Sequence, residues 1–267
     1  MRSRGAINGS SVQRALARLG LLVMAVSLVW WQFLPHPGGS ATANVPSKRG
    51  GDRISCVVID AGHGGQDSGA IRNGVVEKDL TLDVARRLED LMHAHGLQTT
   101  LTRTGDQSVS LAERASLANS ESDCVFVSIH FDQGARAAAS GIQTFYAPRQ
   151  MPKRGMVASW LPFLQQVSNA PTNIESQSLA GLIQRALVTR TQALDRGTRA
   201  EQFYVVANVR HPAVLVEGGF LSNDSDMTKL MTEEYRQQLA EAIGDGIMRY
   251  RALAGDAPAE PLEDPGI

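Results

Sequence analysis

Short apolar runs, rich in Val and Ile, alternate from residue 54 onward with longer segments in which apolar residues recur at helical spacing. Continuous apolar runs are typical of strands buried on both faces, and their alternation with helices is typical of a parallel sheet. Strands are predicted at residues 56–59, 97–103, 124–130, 142–146, 203–206 and 213–217. Helices are predicted at residues 77–96, 110–120, 178–194 and 233–250. We therefore predict an α/β fold in which a mostly parallel, twisted sheet is flanked by helices on both faces.

The first 43 residues differ in composition from the rest of the chain. Several arginines precede an uncharged apolar run at residues 19–35, and Ala41-Thr42-Ala43 matches the small-x-small pattern of signal cleavage sites. This pattern favours a signal peptide over residues 1–43 and export to the periplasm or cell envelope. The apolar run is only slightly shorter than the roughly 20 residues that span a bilayer, so an uncleaved N-terminal membrane anchor is the alternative.

Composition also divides the rest of the chain. Residues 44–53 are predicted to be a linker, residues 54–251 a single folded domain, and residues 252–267 a disordered acidic tail. Residues 147–177 form a long connection with an apolar centre, which is typical of a functional insert. The formal net charge is −1 and the basic residues are scattered, which argues against a nucleic-acid partner.

Three predicted strands end beside a side chain that can bind a metal or transfer a proton. The first strand leads to His63, the third ends in His130 and the last ends in Glu217. Because parallel strands point the same way, we expect these side chains to meet at one edge of the sheet. Glu77 begins the first predicted helix and is expected at the same edge.

Two imidazoles and one carboxylate form a donor set that catalytic zinc sites use, with a fourth position left for water or substrate. In such a site Glu217 would act as general base and general acid. Taken singly, each residue has an ordinary alternative: a histidine after a strand often only hydrogen-bonds a turn, and Glu77 would complement a helix dipole. Four further histidines lie in the linker, at a helix end or in a turn and are not predicted to be catalytic: His36, His93, His95 and His211.

The sequence contains two cysteines, Cys56 and Cys124, and each begins an apolar strand. They precede His63 and His130 by seven and six residues, so they lie at nearly the same height if the two strands are neighbours. Two cysteines are too few for a disulfide framework. We predict two buried thiols, with a disulfide as the alternative.

The chain resembles the zinc-dependent N-acetylmuramoyl-L-alanine amidases of the Amidase_3 type over about residues 54–250. Eight separated blocks carry the resemblance: VVIDAGHGGQDSGA, EKDLTLDVARRL, LTRTGD, LAERASLAN, FVSIH, SLAGLIQ, DRGTRAEQFYVV and PAVLVEGGFLSN. The resemblance implies a six-stranded, mainly parallel sheet. It implies one zinc ion held by His63, Glu77 and His130, with Glu217 as the catalytic carboxylate. It also implies hydrolysis of the amide bond between N-acetylmuramic acid and L-alanine in peptidoglycan, in cell-wall remodelling or daughter-cell separation.

Two features depart from the family pattern. Phe131-Asp132 stands where the family usually has Ala-Asn, which puts nearby substrate contacts in doubt but leaves the ligands in place. Residues 147–177 look longer than in minimal members, and some relatives carry an insert here that covers the zinc until an activator displaces it. We therefore predict an activator protein that acts on the 147–177 insert. We also predict that the protein is a monomer and that its other partner is peptidoglycan.

Two other functions compete with this interpretation. A carboxypeptidase-like zinc peptidase also uses His, Glu, His and a catalytic Glu, but the blocks outside the ligands favour the amidase. A non-catalytic wall-binding module would be expected to have lost a ligand or the catalytic acid. All four residues are present.

Overall fold

A computed structural model describes residues 54–132, 139–150 and 173–256. The predicted signal peptide or anchor, the 44–53 linker, most of the 147–177 insert and the end of the predicted tail lie outside the described residues. Within the described ranges, no helix combines the length and the apolar character that crossing a membrane requires.

The described residues form an alternating series of strands and helices. The strands are β1 Cys56–Ala61, β2 Ile71–Arg72, β3 Val75–Val76, β4 Gln98–Leu101, β5 Cys124–Asp132, β6 Ile142–Tyr146, β7 Asp195–Ala200 and β8 Ala213–Phe220. The helices are α1 Glu77–Ala94, α2 Leu111–Ser120, α3 Ile174–Thr191, α4 Tyr204–Ala207, α5 Asp224–Leu230 and α6 Glu233–Asp256. The predicted capping box starts α2, where Ser110 and Glu113 each bond the other's backbone N–H.

Six of these strands form one sheet in the order β4-β1-β5-β8-β6-β7. The pairs among β4, β1, β5 and β8 are parallel, whereas β6 runs antiparallel to β8 and parallel to β7. The prediction of a mostly parallel six-stranded sheet is therefore confirmed. Strands β2 and β3 form a separate hairpin between β1 and α1.

Each face of the sheet is covered by an apolar layer, because successive strand residues point to opposite faces. Val57 and Ile59 belong to the core beneath α1, α3 and α6, and Val58 belongs to the core beneath α2 and α4. The face covered by α1, α3 and α6 is called the first face, and the face covered by α2 and α4 the second face. On the first face, α1 contributes Leu88, which is fully buried. Helices thus flank both faces, as the alternating pattern predicts.

The structure adds the β2–β3 hairpin and the helix α5 to the predicted elements, begins α3 at Ile174, and differs from the sequence prediction in two further places. Residues 203–206 were predicted as a strand, but Tyr204–Ala207 is a short helix whose Val205 packs on the core of the second face. The strand lies earlier, at Asp195–Ala200, a largely exposed edge strand without an apolar alternation to reveal it. The last helix extends to Asp256, so residues 252–256 of the predicted tail are helical.

The two cysteines lie directly opposite one another on neighbouring strands, Cys56 on β1 and Cys124 on β5. Both are buried and both are free thiols. The hydrogen bond between the two thiols and their burial raise the pKa of Cys124 far above its usual range. The same hydrogen bond lowers the pKa of Cys56, so it is the burial of both thiols that keeps alkylating reagents away from the pair in the folded protein.

We expect the non-reduced protein to show two thiols per chain with a thiol reagent after unfolding, and close to none while folded. Burial of both sulfur atoms is the physical reason for the difference. A sample reduced before unfolding is the control. Fewer thiols without reduction than with it would contradict the free-thiol assignment.

Candidate active site

The turn after β1 carries His63 at the edge of the sheet where the parallel strands end. Its backbone has φ of 61°, a left-handed conformation that few residues with a side chain adopt. The ring Nδ1 atom hydrogen-bonds Asp67 Oδ2 at 2.9 Å. This contact leaves Nε2 directed toward Glu77, whose Oε1 atom lies 3.0 Å away.

Glu77 is the first residue of α1 and is only 4 % exposed. Its carboxylate accepts hydrogen bonds from the backbone N–H of Ala70 at 2.8 Å and of Phe131 at 2.9 Å. Burial raises the pKa of Glu77, but hydrogen bonds from His130 and His63 more than offset this and hold the pKa far below its usual range. The carboxylate is therefore ionised and held by two separate segments of backbone.

His130 lies near the end of β5, where its Nδ1 atom is 3.3 Å from Glu77 Oε1 and 3.1 Å from His63 Nε2. The next residue, Phe131, donates its N–H to Glu77 and buries its ring in the apolar core. The bulky residue that departs from the family pattern is thus a core residue. The side chain of Asp132 lies outside the described residues.

One donor atom from each of His63, Glu77 and His130 lies within 4.8 Å of the others. The closest separations, 3.0, 3.1 and 3.3 Å, are near the edge of about 3.3 Å that a tetrahedron has when ligands lie about 2.0–2.1 Å from zinc. These three separations therefore fit a tetrahedral metal ion. Two nitrogen donors and one oxygen donor also suit zinc chemically.

Glu217 lies on β8 beside this cluster. The parallel register of β5 and β8 places it opposite His130, and the antiparallel register of β6 and β8 places it opposite Gln143. Its side chain is only partly buried. Glu217 thus lies on the strand next to the one that carries His130, at a position where the residue as a whole is partly exposed and its Oε2 atom is buried.

Protons compete with a metal for this cluster. Burial lowers the pKa of His63, but the hydrogen bonds and negative charges of Glu77 and Asp67 outweigh it and raise the pKa above its ordinary value. When the ring is protonated, its Nε2 atom must lose a proton before it can bind a metal.

The other described histidines lie elsewhere. His93 Nε2 contacts Thr99 Oγ1 at 2.6 Å, and His211 Nε2 contacts the carbonyl of Glu121 at 3.2 Å. His95 is the exposed residue that follows α1. None of them belongs to the cluster of metal-binding type found among the described residues.

Sequence reasoning missed the residues that support the cluster. Asp67 follows His63 by four residues, and only the turn between them brings its carboxylate to the ring. Arg103 and Arg114 are buried and donate to backbone carbonyls of the His63 turn. A charged residue within an otherwise apolar helix face, as Arg114 is beside Ala115 and Ala118, was the available signal.

Residues 57–249 match the Amidase_3 family, described as N-acetylmuramoyl-L-alanine amidase. The chain belongs to the N-acetylmuramoyl-L-alanine amidase family. This amidase is 29 % identical to AmiA of Escherichia coli strain K12, with 90 % of each chain covered.

Solved structures share the fold as well as the sequence of this amidase. An N-acetylmuramoyl-L-alanine amidase from Clostridium difficile 630 is similar with a TM-score of 0.62 and 33 % identity, covering 74 % of this chain and 97 % of that one. The CwlD amidase from Clostridioides difficile, in complex with the GerS lipoprotein, has a TM-score of 0.61 and 28 % identity, covering 74 % and 99 %. The fold and the enzyme class predicted from the sequence are therefore confirmed.

Proposed function

We propose that this amidase uses one zinc ion, held by His63, Glu77 and His130, to hydrolyse the amide bond between N-acetylmuramic acid and L-alanine of peptidoglycan. In this proposal Glu217 is the catalytic carboxylate. The observation that carries it is the triangle of donor atoms with separations of 3.0, 3.1 and 3.3 Å at the end of the parallel strands. The family supplies the substrate class.

An amide bond resists neutral water, so the site must provide a stronger nucleophile and stabilise the charge that develops on the carbonyl oxygen. Zinc, when bound, lowers the pKa of water to about 7 and polarises a carbonyl group. The chain contributes the rest. Glu77 brings a negative charge that its backbone donors keep ionised, and Asp67 orients the His63 ring so that Nε2 faces the centre of the triangle.

Glu217 would move the proton. From the strand beside His130, its carboxylate would accept a proton from the attacking water and deliver it to the nitrogen of L-alanine. That delivery matters because, without the proton, the nitrogen would have to leave as an anion, which makes it a poor leaving group. The partly buried position suits both steps, since burial limits competition from bulk water.

Digestion of insoluble peptidoglycan tests the proposal. Cleavage of the muramoyl amide should expose the amino group of L-alanine. Labelling of free amino groups, followed by hydrolysis of the labelled product to its amino acids, identifies the residue that was exposed. A peptidase would expose other amino groups, and a glycosidase would create reducing sugar ends. The release should stop when a chelator removes zinc and resume when zinc is returned. Release of another amino group, or release that chelation leaves unchanged, would refute the proposal.

Gly62 offers a sharper test of the cluster. A Cβ atom at this position would lie 2.4 Å from Cε1 and 2.5 Å from Nε2 of His130, so Gly62→Ala must displace that ring. We expect a folded protein with weakened zinc binding and reduced hydrolysis. Gly181→Ala is the matched control, because a Cβ at this helical glycine meets nothing within 4 Å and should stabilise α3 by about 0.5–1 kcal/mol. Normal zinc affinity in Gly62→Ala would contradict the assignment of His130.

The export and activation of this amidase are proposed on separate grounds. The N-terminal pattern supports export to the periplasm or cell envelope, with residues 1–43 as signal or anchor. The similar CwlD amidase was solved in complex with the GerS lipoprotein, which supports a protein partner for this amidase. The length and the apolar centre of the 147–177 insert are the reasons for placing the action of an activator there. If the insert restrains the enzyme, deleting residues 150–172 should raise basal hydrolysis. A folded deletion variant with unchanged basal activity would rule out autoinhibition.

A further inference from the structure

Two buried arginines meet at the turn that carries His63. Arg103 and Arg114 are 3 % and 4 % exposed, although arginine is seldom buried this fully without a partner. Arg103 donates to the carbonyl of Ala61 at 2.9 Å and of Gly62 at 2.9 Å. Arg114 donates to the carbonyl of Ala61 at 2.7 Å and of His63 at 2.6 Å. Three successive carbonyl groups are therefore held by two side chains from other parts of the chain.

The arginines are themselves held in place. Arg114 also donates to Asp60 Oδ1 at 2.5 Å, and Asp60 accepts from Thr102 Oγ1 at 2.7 Å and from Ser128 Oγ at 2.6 Å. Asp60 is 1 % exposed and lies on β1, three residues before His63. The strand that leads into the turn and the turn itself thus share one polar network.

Holding Arg103 at this position has an electrostatic cost. Burial and the neighbouring positive charge of Arg114 lower the pKa of Arg103. Buried charges of this kind often stabilise a fold less than apolar residues of similar size would. A guanidinium does offer something that an apolar side chain lacks, namely several N–H donors in a rigid plane that can hold two carbonyl groups at once.

The backbone of His63 needs such support. A non-glycine residue with φ of 61° persists where the surrounding structure dictates it, and such residues cluster at functional sites. This conformation determines where the Cα–Cβ bond of His63 points, and hence where the imidazole lies relative to Glu77. The carbonyl of His63 is one of the three groups that the arginines hold.

We propose that Arg103 and Arg114 are positioning residues that fix the turn from Ala61 to His63 and thereby aim the His63 imidazole at the metal. The inference rests on the proposed zinc site and adds residues that act on the metal through His63. Neither arginine takes part in the chemistry. Both set the geometry that makes zinc binding tight and hydrolysis efficient.

The variant Arg114→Lys tests the proposal. Lysine keeps the positive charge but has a single nitrogen, which cannot reach Asp60, the carbonyl of Ala61 and the carbonyl of His63 together. We expect the zinc dissociation constant, measured by competition with a chelator, to rise about 10- to 100-fold. We also expect kcat to fall while KM for peptidoglycan fragments changes little, because substrate contacts are untouched.

Arg236→Lys is the matched control. Arg236 is also largely buried and joins a carboxylate, Asp83 at 2.5 Å, to a carbonyl, Leu230 at 2.8 Å, but it has no hydrogen bond to the His63 turn. This variant should lower the thermal midpoint and leave zinc affinity unchanged. If Arg114→Lys likewise lowered only the thermal midpoint, the positioning role would be overturned and the zinc site would stand. A wild-type protein that bound no zinc would refute both.

A milder variant covers the case in which Arg114→Lys does not fold. Thr81 Oγ1 donates to the carbonyl of Gly62 at 2.8 Å and accepts from Arg103 at 3.0 Å. Thr81→Val removes one donor to the turn and one acceptor of the arginine without removing a charge. It should weaken zinc binding less than Arg114→Lys is expected to. Zinc affinity equal to wild type in folded Thr81→Val would overturn the proposal.

Discussion

Glu217→Gln should lower kcat for amide hydrolysis by about 100- to 10,000-fold, the usual contribution of a general acid–base residue. Glutamine keeps the size and polarity of the side chain but cannot accept a proton from water or return it to the leaving nitrogen. Glu217 lies opposite His130 on the neighbouring strand and outside the triangle of donor atoms. We therefore expect zinc content and folding to remain as in wild type.

Zinc analysis, circular dichroism and peptidoglycan digestion on the same preparation check this result. Glu234→Gln, a change at an exposed glutamate near the start of α6, is the control for loss of one negative charge. It should digest peptidoglycan as wild type does. If Glu217→Gln retained wild-type kcat, another residue would have to be the general base.

Replacing His130 with alanine should remove zinc and activity together. The ring supplies one of the three donor atoms, and two donors would remain, 3.0 Å apart on His63 and Glu77. We expect zinc to fall from about one ion per chain to near zero after dialysis, because catalytic zinc sites need three protein ligands. Wild type should also gain thermal stability on adding zinc, since the metal binds the folded state, and His130→Ala should gain none.

The histidine beyond α1 provides the comparison. His95 is exposed and lies outside the cluster, so His95→Ala should keep its zinc, its response to added zinc and its hydrolysis. The two variants together separate loss of a ligand from loss of any histidine. His130→Ala protein that retained one tightly bound zinc ion would refute the assigned ligand set.

Several features of the site could be predicted from the sequence because they are local. An apolar run followed by histidine places that histidine where a buried strand ends, and this held for His63 and His130. The same reasoning placed Glu77 at the start of a helix, where the structure has it. The structure brings these three side chains together, while their roles as ligands stay predictions.

The strand predicted at residues 203–206 shows where local reasoning fails. A run of four apolar residues is too short to show whether it forms a strand or one turn of a helix. Packing decides, because Val205 and Val206 cover the second face of the sheet from a helix. The real strand, Asp195–Ala200, is polar and exposed, so its pairing with β6 is what makes it a strand.

The supporting network was beyond the reach of the sequence for a different reason. Arg114 and His63 are 51 positions apart, and no periodicity links them. An arginine in a short helix is usually a surface residue, and only the approach of α2 to the end of β1 buries its guanidinium. The carbonyl groups that it holds, on Ala61 and His63, come within its reach only in the folded structure.

By itself, then, the sequence determined the α/β class, the family and the sites where chemistry-bearing side chains leave their strands. Strand period, helix period and strand ends are properties of neighbouring residues, so they can be recognised without coordinates. Only the tertiary structure decided that β6 and β7 run against the other strands, which nitrogen of each histidine faces Glu77, and that two buried arginines hold the turn. These features depend on contacts between segments distant in the chain, which exist only once the sheet and its helices have packed.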